Sequence, residues 1–360
     1  MPEPPPRLRG LLPGLGVLAL TSLALGLERA GAPGWLGFLA ALAAMVPLAG
    51  FLGRATEELS IRSSPALGAL LNATFGNAIE LLIAARLLLG SDPDAPRVVR
   101  GSLVGSLVTN LLFLIGLSMF AGGLRYREQR FNPTAAGVSA TLLIIAFAGV
   151  SIPSVYGHFV DPAHVSALSR LVCVILAGVY LCGLVFTLVT HRHLFDTVDE
   201  LREARRPEWS VRGALGVLGG CVLLVALLAG SLERTLGPAG VALGLSKTFM
   251  GVIVLGAITN VAENLSAIGY ARRNMIDLSF QIGTSSTIQI TLFVAPILVL
   301  LAALAGRPFD LQFTMFELAA MLFPVMILNH LATDGVCNWL EGIQLVALYL
   351  IVATAFWFIP

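Results

Sequence analysis

Two stretches of this chain each aim an amide oxygen and a carboxylate in one direction. The first is Ala73-Thr74-Phe75-Gly76-Asn77-Ala78-Ile79-Glu80; the second is Gly256-Ala257-Ile258-Thr259-Asn260-Val261-Ala262-Glu263. Both read Asn-x-x-Glu, and residues i and i+3 share a helix face. Both lie in long apolar runs, where a carboxylate is costly and points to function. Matching positions in two halves of a chain suggest one site shared across a repeat interface.

The helices that follow carry more oxygen at membrane depth. Gly101 to Asn110 contains Ser106 and Asn110, and Gly283 to Gln289 contains Ser285, Ser286 and Gln289. Ser106/Asn110 and Ser285/Gln289 are i, i+4 pairs, so each pair is expected to face the glutamates. With Thr74, Asn77 and Asn260, the candidate ligands are all oxygen. Such a set suits a hard cation, and calcium takes roughly six to eight oxygens in flexible geometry. Imidazole and thiolate, which softer metals prefer, do not occur in these motifs. Two carboxylates match one divalent cation, two protons or two monovalent ions. Exclusive occupancy by cation or protons gives antiport. An empty, doubly charged site resists crossing a low-dielectric barrier, which couples the two fluxes. Gly76 and Gly256 are expected to let the helices break or pack closely, and carbonyls freed there can add ligands if they line a cavity.

The elements that must hold these groups are membrane helices. Hydrophobic residues make up 57% and charged residues 12% of the chain, against about 25% charged in a soluble domain. Mean hydropathy is +0.88. The net charge of +1 gives a nucleic-acid partner no electrostatic support. Cys173, Cys182, Cys221 and Cys337 show no metal-cage or disulfide spacing. Arg7, Arg9 and the apolar run 11–27 resemble a signal peptide, read here as a retained first helix, with cleavage as the alternative. A span needs about 20 apolar residues, and that ruler predicts eleven: 11–27, 34–53, 66–90, 97–121, 134–157, 166–190, 213–230, 242–270, 280–305, 312–332 and 343–359.

Arginines orient them. With the N-terminus cytoplasmic, Arg7, Arg9, Arg54, Arg62, Arg125, Arg127, Arg130, Arg192, Arg202, Arg205, Arg206, Arg212, Arg272 and Arg273 fall inside. Only Arg29, Arg97, Arg100, Arg234 and Arg307 fall outside. The expected fold is an all-α integral membrane protein: an extra N-terminal helix (1–30), a first repeat (31–190), a cytoplasmic central loop (191–212) and a second repeat (213–360). Five spans per repeat make the second enter the membrane inverted.

Other polar residues have plainer readings. Ser102 and Thr109 are read as interhelical hydrogen bonders. Glu317, with no counterpart in the first half, is read as structural. Glu57 and Glu58 beside Arg54 and Arg62 read either as surface pairs or as a gate. Asp196, Asp199, Glu200 and Glu203, among Arg202, Arg205 and Arg206, read as a solvated mixed-charge helix or as a cation-capturing one. No His-Glu-x-x-His or Gly-x-Gly-Asp stands in the chain, which argues against an intramembrane protease. A passive cation channel and a homo-oligomer both stay open.

Taken together, Asn72 to Leu81, Arg97 to Leu112, Gly122 to Asn132, Asn260 to Pro296 and Asp334 to Gly342 resemble the calcium/proton exchangers. These are the microbial and vacuolar branch of the cation/calcium exchanger superfamily. The resemblance covers nearly the whole chain. It implies an eleven-helix exchanger, not an enzyme, that moves calcium out of the cytosol against protons without a cofactor. Glu80 and Glu263 would be the alternating ligands, on helices that slide or tilt to expose the site to each side. A prokaryotic plasma membrane fits the short central loop. That loop's acidic residues would be a reduced form of the family's acidic helix. Two departures stand in the second motif: Thr259 where the family usually has glycine, and Asn264 where it usually has histidine. Loss of an imidazole with a pKa near 6.5 bears on pH dependence and selectivity. A sodium-coupled exchanger of the same architecture is the nearest alternative.

Overall fold

In hydrocarbon every backbone N–H and C=O must be satisfied within the segment, so an apolar chain of this kind resolves into helices. The computed structural model describes residues 6–63, 67–68, 71, 74–157, 159–191, 194 and 208–359. The helices run α1 (Pro6–Arg29), α2 (Gly34–Ile61), α3 (Ala78–Leu89), α4 (Ala95–Gly123), α5 (Pro133–Tyr156), α6 (Pro162–Val185) and α7 (Val211–Leu243). They continue as α8 (Lys247–Thr259), α9 (Val261–Ala271), α10 (Ile276–Leu304), α11 (Met315–Leu331) and α12 (Trp339–Trp357). Most of the expected acidic stretch of the central loop, Asp196 to Arg206, lies outside the described residues.

Among the described residues, seven helices are long and apolar enough to cross a membrane, or eight if α8 and α9 form one span bent by 54°. Several expected boundaries need correction. The stretch 66–90 is not one straight helix: the chain turns at Gly76 and Asn77, and α3 starts only at Ala78. The expected span 213–230 continues as α7 to Leu243. Glu233 and Arg234 do not stop it because each is paired, with Arg86 at 3.0 Å and with Glu28 respectively. Likewise α2 passes the expected end at 53 and reaches Ile61.

Burial sorts the helices into centre and rim. In α4, 83% of the apolar stretch is buried, and in α10 61%, against 17% in the helix that contains α6. Leu171, Ile175 and Leu181 on α6 are exposed, as a lipid-facing surface requires. α1 and α7 pack along α2, while α4 and α10 lie against α9. The central pair is therefore the pair that carries Ser106, Asn110, Ser286 and Gln289.

At one end a two-stranded antiparallel ribbon joins the halves. Strand β1 (Gln129–Arg130) pairs with β2 (Val336–Cys337), with Gln129 opposite Cys337. The Gln129 amide donates to Ala271 O at 2.9 Å, and Asn132 N–H donates to Asp277 Oδ1 at 2.9 Å. Three of the family-like segments thus meet at one place.

Glu58, expected in a surface pair or a gate, is not a surface residue. It is 4% exposed, and its two carboxylate oxygens accept the backbone N–H groups of Glu208 (3.1 Å) and Trp209 (3.0 Å). Arg54 pairs with Glu208 and stacks over the Trp209 ring at 5.1 Å. The end of α2 therefore holds the end of the central loop. Glu58→Ala is expected to cost about 1–3 kcal/mol by removing these charge-assisted bonds. Hydrogen–deuterium exchange should rise at the Glu208 and Trp209 amides and stay unchanged in α10.

Candidate cation site

Both Asn-x-x-Glu motifs lie at helix breaks with the same backbone geometry. Asn77 has φ −103° and ψ 22°, and Asn260 has φ −102° and ψ 11°. Each asparagine carbonyl accepts the first bond of the new helix, from Leu81 N and from Asn264 N, both at 3.0 Å. Each glutamate therefore sits in a first turn, where the helix dipole favours negative charge. Gly76 and Gly256 were expected to let the helices break or pack closely; the first adjoins its break, while in the second half the break falls at Asn260, four residues on. There the side-chain amide of Asn260 donates to Gly256 O at 2.8 Å, while its backbone N–H turns to Ile258 O.

Gly256 takes the second of the two expected roles, close packing. A Cβ on it would lie 2.6 Å from Gly105 C, and a Cβ on Gly105 would lie 1.8 Å from Val252 O. α4 and α8 thus cross backbone against backbone, in the way small residues allow. That approach puts Ser106, next to Gly105, within reach of Asn260.

The polar contacts cross between the halves. Glu80 is buried, and its Oε1 accepts from Ser106 Oγ, from Asn260 Nδ2 at 3.0 Å and from Thr259 Oγ1 at 3.1 Å. Asn260 Nδ2 is also 3.0 Å from Ser106 Oγ. In the other direction, Asn77 Nδ2 donates to Gln289 Oε1 at 2.6 Å, and Ser286 Oγ donates to Asn77 Oδ1 at 3.2 Å. Asn110 Nδ2 donates to Ser286 Oγ at 3.0 Å. The Glu263 Oε2 and Asn110 Oδ1 atoms are buried acceptors with no hydrogen-bond donor among the described residues. An unsatisfied buried acceptor costs about 1–3 kcal/mol. A cation, a proton or a water removes that cost.

One expected member, Ser285, is not in this cluster. Ser285 is exposed and donates to Ile282 O at 3.3 Å; Ser286, one position on, is the hydroxyl that faces the first half. Successive helix positions differ by about 100°, so the i, i+4 pattern chose the wrong neighbour. Thr74 is exposed, one turn before the break. Thr259 was legible only as a departure from the family, and the structure makes it a donor to Glu80. Its position directly before Asn260 was the available signal. π-helical turns follow at matching places, Thr109–Leu114 in α4 and Ile290–Val294 in α10; such turns occur often at functional sites. Among the described residues no group of three or more His, Cys, Asp or Glu side chains converges. The cluster is thus one buried carboxylate with its donors, a second carboxylate one turn beyond Asn260, and neutral oxygens.

The profile of the sodium/calcium exchanger protein family matches residues 33–189 and 213–358. The chain belongs to that family. This exchanger is 40% identical over 354 residues to the Ca(2+)/H(+) antiporter of Synechocystis sp., covering 91% of this chain and 93% of the relative. It is 39% identical to the Ca(2+)/H(+) antiporter ChaA of Bacillus subtilis, covering 87% and 89%. Its fold superposes on native YfkE with a TM-score of 0.84 at 34% identity, over 97% of this chain and 100% of the other. As an exchanger with several apolar helices, it is a multi-pass membrane protein. The two family matches stop on either side of residues 190–212, which contain the expected central loop, 191–212.

Thr259→Val keeps the side chain's shape and removes one donor from Glu80. A hydrogen bond to a charged group is worth about 1.5–3 kcal/mol, so the rate of ion exchange is expected to fall roughly ten-fold or more. Initial rates in liposomes, with Thr259→Ser as the variant that keeps the hydroxyl, check this.

Proposed function

We propose that this exchanger is a calcium/proton antiporter that extrudes calcium from the cytosol. Its site is formed by Glu80 and Glu263, with Asn77, Asn260, Ser106, Asn110, Ser286 and Gln289 around them. The observation that carries the reading is the interlocking of the two Asn-x-x-Glu motifs, in which Asn260 of one half donates to buried Glu80 of the other. The names of the relatives at 40% and 39% identity support calcium and protons as the exchanged ions.

The chemistry follows from the groups. Serine and threonine hydroxyls both donate and accept, so Ser106 and Thr259 can hold a carboxylate or turn a lone pair to a cation. When calcium arrives, two carboxylates and the amide oxygens supply hard ligands. When it leaves, protons neutralise the carboxylates, so no uncompensated charge crosses the low-dielectric barrier. Alternating access is assigned to the helices broken at Asn77 and Asn260, whose hinges lie beside the glutamates. The eleven-span layout, one helix followed by two inverted repeats of five, with the N-terminus in the cytosol, gives these two breaks opposite directions. The membrane is assigned as a prokaryotic plasma membrane.

The test is calcium uptake by proteoliposomes under an imposed pH gradient, with and without sodium. Uptake that follows the pH gradient and ignores sodium supports the reading. Uptake that requires a sodium gradient moves it to the sodium-coupled alternative. Calcium flux with no gradient of either ion indicates a channel.

A further inference from the structure

Away from the glutamates, a cavity of about 320 Å³ opens between α1, α3 and α7. Glu28, Arg29, Arg86 and Arg234 line it, together with Leu25, one turn before Arg29 on α1, and Leu227, two turns before Arg234 on α7. Its floor is Gly230: a Cβ there would lie 3.4 Å from Arg234 Nη1 and 3.5 Å from Arg86 Nε. Two guanidinium groups therefore converge over one small residue, and any side chain at 230 would enter the space between them.

The charges do not cancel. Arg234 is held by Glu28, with Nη2 at 3.1 Å from Oε2, and Arg86 by Glu233 at 3.0 Å. Arg29 has no hydrogen bond or ion pair among the described residues, so one positive charge is left over. Arg29 ends α1, and the chain turns back over the next four residues before α2 begins at Gly34. The charged side thus lies where α1 leaves the membrane. The apolar side faces the bilayer, since Leu23, Leu223 and Leu227 beside it are exposed. A ligand with one negative charge at one end and hydrocarbon at the other satisfies both sides. Basic pockets between membrane helices take anionic headgroups for this reason, and guanidinium forks suit phosphate oxygens.

We propose that this cavity binds the phosphodiester headgroup of an anionic phospholipid, with the acyl chains lying along Leu25 and Leu227. The site is independent of the transport reading and stands or falls without it. The experiment titrates purified full-length protein in detergent with dioleoylphosphatidylglycerol or dioleoylphosphatidylcholine and counts bound lipid by native mass spectrometry. The phosphatidylglycerol complex is expected to be about ten-fold more populated than the phosphatidylcholine complex. Arg29→Gln and Arg86→Gln should each lower it about five-fold, the effect of one basic side chain at a membrane surface. Gly230→Leu should lower it as well, with no change in charge. Arg29 is exposed and unpaired, so its variant tests the site without threatening the fold. Equal binding of the two lipids, or unchanged binding in Arg29→Gln and Gly230→Leu, overturns the proposal. Displacement of phosphatidylglycerol by millimolar inorganic phosphate or glycerol phosphate makes this a free-phosphate site and also overturns it.

Discussion

Glu80→Gln is expected to abolish proton-driven calcium exchange while the protein still inserts and folds. The two effects separate because they depend on different atoms. Ser106, Thr259 and Asn260 all donate to Oε1 of Glu80, and a glutamine carbonyl accepts the same three bonds. The variant therefore keeps the contacts between the halves and loses only the charge and the titratable proton. Removing one charged partner from a buried ionic arrangement costs about 3–5 kcal/mol, which is roughly a hundred-fold to several thousand-fold in cation binding. Glu263→Gln is expected to do the same by a simpler route, because Glu263 Oε2 has no donor among the described residues to lose. The measurement is calcium uptake in proteoliposomes under a pH gradient, with monodispersity and thermal unfolding as folding controls. If either glutamine variant kept more than a tenth of the uptake, the shared two-carboxylate site would be wrong.

The second large effect is expected at Gly105. Gly105→Val should destabilise the protein by about 3 kcal/mol or more, at or above the upper end of ordinary overpacking. Its Cβ would lie 1.8 Å from Val252 O and 2.8 Å from Val252 Cα, and backbone cannot rotate away as a flexible side chain can. α4 and α8 would have to separate, which also draws Ser106 away from Asn260 and dismantles the donor set around Glu80. Loss of transport should therefore accompany loss of stability, unlike Glu80→Gln, where transport alone is lost. Gly219→Ala in α7 is the control, since a Cβ there meets nothing within 4 Å; it should fall within about 0.5 kcal/mol of the parent. A fluorescence-monitored thermal melt of the three proteins in one detergent decides it. A Gly105→Val protein as stable as the control would show that the helices do not cross at this distance.

Much of this was legible in the residues themselves. Apolar run length alone shows a helical membrane protein, because hydrocarbon admits only helices and closed barrels, and continuous runs of about 20 apolar residues are not the short alternating strands of a barrel. Asn77-x-x-Glu80 and Asn260-x-x-Glu263 were legible as a matched pair because the cost of a buried carboxylate makes each one conspicuous in an apolar run. Position within a helix turn was less legible. Ser285 and Ser286 are adjacent, and a one-residue shift of about 100° in helical phase exchanges the one facing Asn77 for the one facing away. Helix ends at charges were misjudged for α2 and α7, since the partners that hold Arg54, Glu58, Glu233 and Arg234 come from distant parts of the chain.

What only the tertiary structure decided is which groups meet. Asn260 and Glu80 lie 180 residues apart, and no local pattern says that one donates to the other. Nor does any local pattern show that Thr259 completes the donor set, that Glu58 holds the Glu208 and Trp209 amides, or that Arg86 and Arg234 converge over Gly230. Sequence determines the type and spacing of polar groups along each helix, through the energetics of burial. Their partners are set by how closely two backbones can approach, and here the contact of Gly105 with Gly256 sets that distance.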